Sequence, residues 1–140
     1  MPKVSVLLPV YNGEKYIEKS LNSVLNQSFN DLEILVLNDG STDNSLEIIN
    51  KFIAIDSRVR AINFEKNIGL IGVLNEGVKK SNGLYLARID SDDEWGDTDK
   101  IEKQVEFLEN NPEYALIGTN AILVNEKNEE VGKIDRKSVV

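Results

Sequence analysis

Apolar positions along the chain recur in two periods, and the switches between them mark out alternating strands and helices. Lys3-Val4-Ser5-Val6-Leu7-Leu8-Pro9-Val10 is a short, β-branched apolar run, which predicts a central strand covered on both faces. Pro9 has no amide hydrogen, so pairing is expected to stop about there. Tyr11-Asn12-Gly13 then turns, and Glu14 opens a helix with Tyr16, Ile17, Leu21, Val24 and Leu25 along one face. Gln27-Ser28-Phe29-Asn30 breaks it. A second strand over residues 32–37 runs into Asn38-Asp39-Gly40-Ser41-Thr42-Asp43, where Ser41 or Thr42 would cap the next helix. Leu46, Ile48, Ile49, Phe52 and Ile53 form that helix's apolar face.

Residues 58–64 alternate loosely as a third strand, and a third helix is expected from about Leu70 to Lys80. Ser81-Asn82-Gly83 would stop it as a glycine cap. Residues 84–89 read as a buried fourth strand that leads directly into Asp90-Ser91-Asp92-Asp93-Glu94-Trp95. A helix over residues 100–110 follows, capped by Thr98 or Asp99 and closed off by Pro112. Residues 114–119 look like another strand, and residues 121–134 like a hairpin turning at Glu126-Lys127-Asn128-Glu129. The last six residues carry no legible pattern.

This order predicts a doubly wound α/β fold: a mostly parallel sheet with helices on both faces. Ligands of such sheets bind beyond the carboxyl ends of the strands. The loops expected there hold Pro9-Val10-Tyr11-Asn12, Asn38-Asp39-Gly40-Ser41, Lys66-Asn67 and Asp90-Ser91-Asp92-Asp93. They offer an aromatic face, a lone carboxylate, a cation and an acidic cluster, an inventory suited to a nucleoside diphosphate with a metal. Crowded carboxylates repel one another, and a hard divalent cation relieves this; Mg²⁺ typically takes one or two carboxylates plus substrate phosphates. Taken alone, the acidic run is equally an ordinary solvated turn.

Composition narrows the classes. At 140 residues, with 41% hydrophobic and 29% charged positions, the chain suits one globular domain rather than a disordered one. It has no histidine, which excludes a His-based triad, general base or metal ligand. A net charge of −8 argues against nucleic acid or an anionic membrane as the main partner. Cysteine is absent, no apolar run approaches the length of a membrane span, and Met1-Pro2-Lys3-Val4 enters a strand without a signal peptide. A cytoplasmic location is expected, at the membrane periphery if the chain is part of something longer.

Four ordered motifs carry a resemblance. They are Val4-Ser5-Val6-Leu7-Leu8-Pro9-Val10-Tyr11-Asn12; Leu37-Asn38-Asp39-Gly40-Ser41-Thr42-Asp43; Asn67-Ile68-Gly69 with Asn75-Glu76-Gly77; and Ala87-Arg88-Ile89-Asp90-Ser91-Asp92-Asp93. Together they resemble the donor-binding half of inverting family 2 glycosyltransferases of the GT-A, Rossmann-like fold, from Lys3 to about Gly118. The resemblance implies transfer of a sugar from a nucleotide donor, UDP-sugar being the commonest, to a saccharide, lipid-linked or protein acceptor. Tyr11 would lie against the base, with Pro9 and Val10 shaping that pocket and Asp39 accepting from the base or ribose. Asp90-Ser91-Asp92 matches the family's DXD motif. It implies Mn²⁺ or Mg²⁺ on Asp92, with Asp90 nearer the ribose or metal-bound water. Lys66 and Arg88 would help neutralise phosphate.

Plainer roles stand beside these. Tyr11 is also a turn aromatic, Asp39 an Asx-turn residue, Asp43 a helix-start carboxylate, Trp95 a lid or packing aromatic, and Lys79-Lys80 a basic last helical turn. The resemblance stops short of the family's catalytic carboxylate, which lies well beyond the DXD motif in a longer domain. Nothing after Gly118 matches it, Glu126, Glu129 and Glu130 fall in a charged turn, and a proline common near Thr98 is missing. The chain is therefore expected to be a donor-binding half lacking its acceptor half, with an open sheet edge that favours self-association. A non-catalytic nucleotide-sugar-binding module is the alternative. A nucleotidyltransferase fits poorly, because Tyr11-Asn12-Gly13-Glu14-Lys15 is too poor in glycine to cradle a triphosphate.

Overall fold

The structure is a computed structural model that describes residues 1–134; the patternless tail lies outside the described residues. The chain divides into two compact units, Met1–Ile101 and a second that begins at Glu102. The first contains β1 (Val4–Val10), α1 (Ile17–Leu25), β2 (Leu32–Asn38), α2 (Ser45–Ile55), β3 (Val59–Asn63), α3 (Leu70–Lys80) and β4 (Tyr85–Arg88). Its strands form one parallel sheet in the order β3-β2-β1-β4. Right-handed crossovers put α1 and α2 on one face, and α3, which carries the chain back past β1 to β4, on the other. Every residue of β1 is buried, as its central place requires. On the α3 face Leu7, Leu35, Leu37 and Val73 form a core cluster with Ile62, Phe64 and Leu74 packed against it. A side chain at Gly77 would come within 2.8 Å of Leu37, so glycine lets α3 lie close on the sheet.

Several local expectations are corrected. Pairing does not stop at Pro9: β1 stays in register with β2 through Val10, opposite Asn38. Leu7 O accepts Ile89 N on the β4 side and Val10 O accepts Asp39 N on the β2 side. Alternation therefore turns the nitrogen of Pro9 toward β4, where that ladder has already ended, and the missing donor loses nothing. The helix expected from Glu14 starts at Ile17, after a turn in which Gly13 O accepts from Tyr16 N and Ile17 N. Gly83 is no left-handed cap, since the glycines with positive φ are Gly40 and Gly69. Its reason is close approach: a Cβ there would lie 2.7 Å from Ser5 Oγ and closer still to Ser5 N. The fourth strand is not buried either. β4 is a sheet edge, and Leu84 and Leu86 are 75% and 49% exposed.

The second unit holds the rest of α4 (Lys100–Asn110) and an antiparallel hairpin of β5 (Ala121–Val124) and β6 (Glu130–Ile134). The hairpin turns where expected, with Asn128 at φ 61° and Asn125 N donating to Glu129 O. Residues 114–119 form no strand. An apolar run becomes a strand only against a ladder partner, and this one has none among the described residues.

Candidate functional site

The strand order creates the reversal at which open α/β sheets form their ligand crevice. The chain steps outward from β1 to β2 to β3 and then returns to the opposite side of β1 as β4. The loops after β1 and β4 leave the sheet on either side of that reversal, where open α/β sheets bind ligands. Tyr11, Asn12 and Gly13 form one lip, and residues 90–93 form the other. The lips meet at their base, since a Cβ on Gly13 would lie 3.3 Å from Ser91 Oγ.

Hydrogen bonds tie the β1 lip to the loop after β2. Asn12, at φ 52°, donates its amide to Ser41 Oγ (3.1 Å) and accepts Thr42 N on Oδ1 (2.8 Å). Gly13 N donates to Ser45 Oγ at 2.9 Å, and Glu14 N to Asp43 Oδ2 at 3.0 Å. Ser41 and Thr42 are thus linkers between loops rather than the expected helix caps. α2 begins later, at Ser45, whose amide donates to Asp43 Oδ1 at 3.0 Å. Burial pushes the Asp43 carboxyl up, but the Ser45 hydroxyl and the amides of Glu14 and Ser45 outweigh it and hold it below the usual range. This agrees with its reading as a helix-start carboxylate.

Asp39 is buried, and its carboxylate accepts Ile68 N on Oδ1 (2.6 Å) and Gly69 N on Oδ2 (3.0 Å). Gly69 begins α3 without a side-chain cap, so Asp39 supplies the anion at that helix's positive end from a different loop. Gly40, at φ +68°, lets the loop after β2 lie against the Lys66–Asn67 backbone. Each Asp39 oxygen thus accepts one hydrogen bond among the described residues, where a carboxylate oxygen has a second lone pair.

At the other lip Arg88 grips Asp90 as a fork, Nε to Oδ1 at 2.9 Å and Nη2 to Oδ2 at 3.1 Å. Asp92 is exposed, and its carboxylate makes no hydrogen bond or ion pair among the described residues. Ser91 is half-buried, Pro9 and Val10 are buried beneath the crevice, and Tyr11 is 53% exposed beside it. Lys66 is exposed on the loop after β3, at the opposite end of the row of loops from Asp92. Trp95 is half-buried with Lys100 Nζ 4.4 Å from its ring centroid; burial lowers the Lys100 pKa.

Sequence reading missed the residues that hold the acidic lip from below. Ser20, Ser23 and Gln27 of the first helical segment bond to the backbone of residues 90–101. The available signal was three polar residues at helical spacing beside the apolar stripe of α1, and Gln27 looked like part of a helix break.

A parallel sheet with its crevice at the β1–β4 reversal defines a doubly wound, nucleotide-binding class of fold. The family model for glycosyl transferase family 2 matches residues 5–135, and the chain belongs to that family. It is 39% identical over 130 residues to a glycosyltransferase of Haemophilus influenzae that is itself uncharacterized, covering 90% of this chain and 39% of that protein. The crystal structure of S. aureus TarS 1-349 in complex with UDP-GlcNAc has 32% identity and a TM-score of 0.72, over 77% of this chain and 31% of that one. A mannosyltransferase of Pyrobaculum calidifontis, solved with GDP-Man and Mn²⁺, has the same fold at 23% identity and a TM-score of 0.72, over 76% of this chain and 32% of that one. The fold is that of GT-A transferases, and the chain spans well under half the length of these proteins. No helix among the described residues is long and apolar enough to cross a membrane.

Proposed function

We propose that this chain is the donor-binding part of a glycosyltransferase that moves a sugar from a UDP-type donor to a hydroxyl acceptor with inversion. The observation that carries this is the free carboxylate of Asp92, held on a fixed turn across the β1–β4 reversal from an exposed Tyr11. The UDP-GlcNAc complex of the related TarS supports the donor class.

In this reading Tyr11 lies against the base, Pro9 and Val10 form the floor, and Asp39 offers its remaining lone pairs to the base or ribose. Arg88 and Ser91 face the diphosphate, and Lys66 adds positive charge at the nucleoside end. The residues fit a divalent cation. Among the described residues no group of three or more His, Cys, Asp or Glu could hold one unaided, so Asp92, with Asp90 beside it, leaves most ligand positions to phosphate and water. When bound, Mn²⁺ or Mg²⁺ supplies Lewis-acid stabilisation of the departing diphosphate. The acceptor oxygen attacks the anomeric carbon, the bond to the diphosphate breaks, and the acceptor's proton passes to a base that no residue here is assigned to be. Glu129 bonds to Asn125 Nδ2 across the hairpin turn and Glu130 pairs with Lys133, so neither is promoted to that role.

Calorimetry with UDP and Mn²⁺ on wild type and Asp92→Ala tests the assignment. Metal-dependent binding is expected in the first and lost in the second; binding that Asp92→Ala leaves untouched refutes it. A second reading, binding without turnover, draws on the engagement of Asp39 and Asp43 by backbone amides and of Asp90 by Arg88. A donor-hydrolysis assay separates the two. The exposed Leu84, just before β4, and Leu86 on it support self-association of the chain, which a strict monomer by light scattering at rising concentration rules out.

A further inference from the structure

Along the covered flank of α1 and just past its end stand three polar residues, Ser20, Ser23 and Gln27, a turn apart beside the buried Ile17, Leu21 and Val24. Burying a hydroxyl or an amide is unfavourable unless it is hydrogen-bonded. All three are bonded to one stretch of backbone, the segment that carries Asp92. Ser20, only 1% exposed, has its Oγ 2.6 Å from Asp93 O, 2.8 Å from Ser91 O and 3.5 Å from Asp90 O. Ser23 Oγ accepts Trp95 N at 3.1 Å. Gln27 donates to Asp97 O at 2.9 Å and accepts Ile101 N at 3.1 Å.

Ser20 has a single hydroxyl proton, and three carbonyl oxygens converge on it. Their dipoles repel one another, and that proton offsets the repulsion together with Asp93 N, which donates to Asp90 O at 3.0 Å. The carbonyls of Ser91 and Asp93 flank Asp92 in sequence, so the bond fixes the backbone on both sides of that residue while leaving its carboxylate free. We propose that Ser20 is a positioning residue for the cation site: it aims Asp92 by bracing, from α1, the turn that Asp93 N and Asp90 O close, and Ser23 and Gln27 extend the same rail along the loop. This rests on the reading of Asp92 as the cation's ligand. It also makes α1 the rigid link between the two lips, since that helix starts just past Gly13 and holds the opposite lip from beneath.

The test is a Mn²⁺ titration of the UDP-saturated chain, free Mn²⁺ being counted by electron paramagnetic resonance. UDP affinity is measured separately in EDTA. Ser20→Ala is expected to weaken Mn²⁺ binding about tenfold, equivalent to 1.4 kcal/mol, and to leave metal-free UDP affinity within about twofold. Ser5→Ala is the control, because Ser5 is equally buried and doubly bonded at the other edge of the sheet. It should lower the thermal midpoint without moving the Mn²⁺ affinity. If Ser20→Ala does not fold, Ser23→Ala should show a loss of about threefold, since it removes one acceptor from the same rail. Mn²⁺ affinity unchanged in the folded variant, or lowered as much by Ser5→Ala, overturns the proposal while the donor-site reading stands. Wild type with no Mn²⁺-dependent UDP binding overturns both.

Discussion

At the amino end of β2 the carboxylate of Glu33 accepts from Ser5 Oγ (2.6 Å), Asn82 N (2.7 Å), Asn82 Nδ2 (3.2 Å) and Arg60 Nε (3.2 Å). Ser5 in turn accepts Gly83 N at 2.8 Å, and Arg60 reaches Lys80 O at the end of α3. One carboxylate thereby joins β1, β2, β3 and the chain entering β4. Past the carboxyl end of β4, Asp92 projects from a turn whose backbone is equally well fixed, yet its own oxygens make no hydrogen bond or ion pair among the described residues. Both residues are acidic, polar and close to a strand end, so their type does not distinguish them. What does is where the bonding stops. At the amino edge it includes the charged atoms, and at the carboxyl edge it ends at the peptide groups around them. The first arrangement holds strands together; the second leaves a charge available at a defined place.

Exchanging the charge for an amide at each position should give opposite results, and the Asp92 effect is expected to be the larger. Asp92→Asn should lower Mn²⁺-dependent UDP affinity on the order of a hundredfold, at the upper end of what losing even a supporting group costs a metal site. The thermal midpoint should stay within about 2 °C, because no fold contact is lost. A large drop in midpoint with affinity retained would assign Asp92 to the fold and erase the contrast.

Glu33→Gln should do the reverse, destabilising by about 2–3 kcal/mol in urea unfolding while UDP affinity holds. The pH profile gives the sign independently. Burial pushes the Glu33 carboxyl up, but hydrogen bonds from Ser5 and Asn82 and the charge of Arg60 overcome this and hold it below its ordinary value of 4.5. On acidification the unfolded chain takes up this proton before the folded one does. The contribution is therefore complete above 4.5 and is lost as pH falls through the lowered folded value. The stability gap between wild type and Glu33→Gln should narrow over that acidic window and nowhere above it. A gap independent of pH would mean that shape, not charge, accounts for the lock.

The extents of α3 and α4 are legible in the sequence, the first as a run ended by Ser81-Asn82-Gly83 and the second because Ile101, Val105 and Leu108 align on one side ahead of Pro112. The acidic lip was legible because a run of carboxylates directly follows an apolar strand. The contrast between the two edges was not. Glu33 looked like one polar position in an apolar strand, and Ser5 likewise; only the register that sets them opposite one another makes them partners. The sequence does not say which neighbour a strand's nitrogen faces, so it does not show that pairing continues past Pro9. Glycine permits both a left-handed turn and a close approach, so sequence alone does not separate a cap from the contact that Gly83 makes with Ser5. The polar flank of α1 was missed because its partners are backbone carbonyls and amides some seventy residues away, which carry no residue code.

The smallest expected effect concerns Lys66, and it measures how far along the row of loops the functional region extends. Lys66 is exposed, and β3 lies three ladder spacings from β4, about 14 Å at the usual strand separation. The Debye length at physiological salt is about 8 Å, so its charge is screened from a diphosphate held at Asp92; in ~0.01 M salt the length grows to about 30 Å. Lys66→Ala should therefore weaken UDP binding about twofold in dilute buffer and by less than calorimetry resolves at physiological salt. A tenfold loss at physiological salt would mean that the side chain touches phosphate directly. The diphosphate would then lie toward β2 and β3, Asp39 would face it instead of the nucleoside, and the open carboxylate of Asp92 would need another ligand.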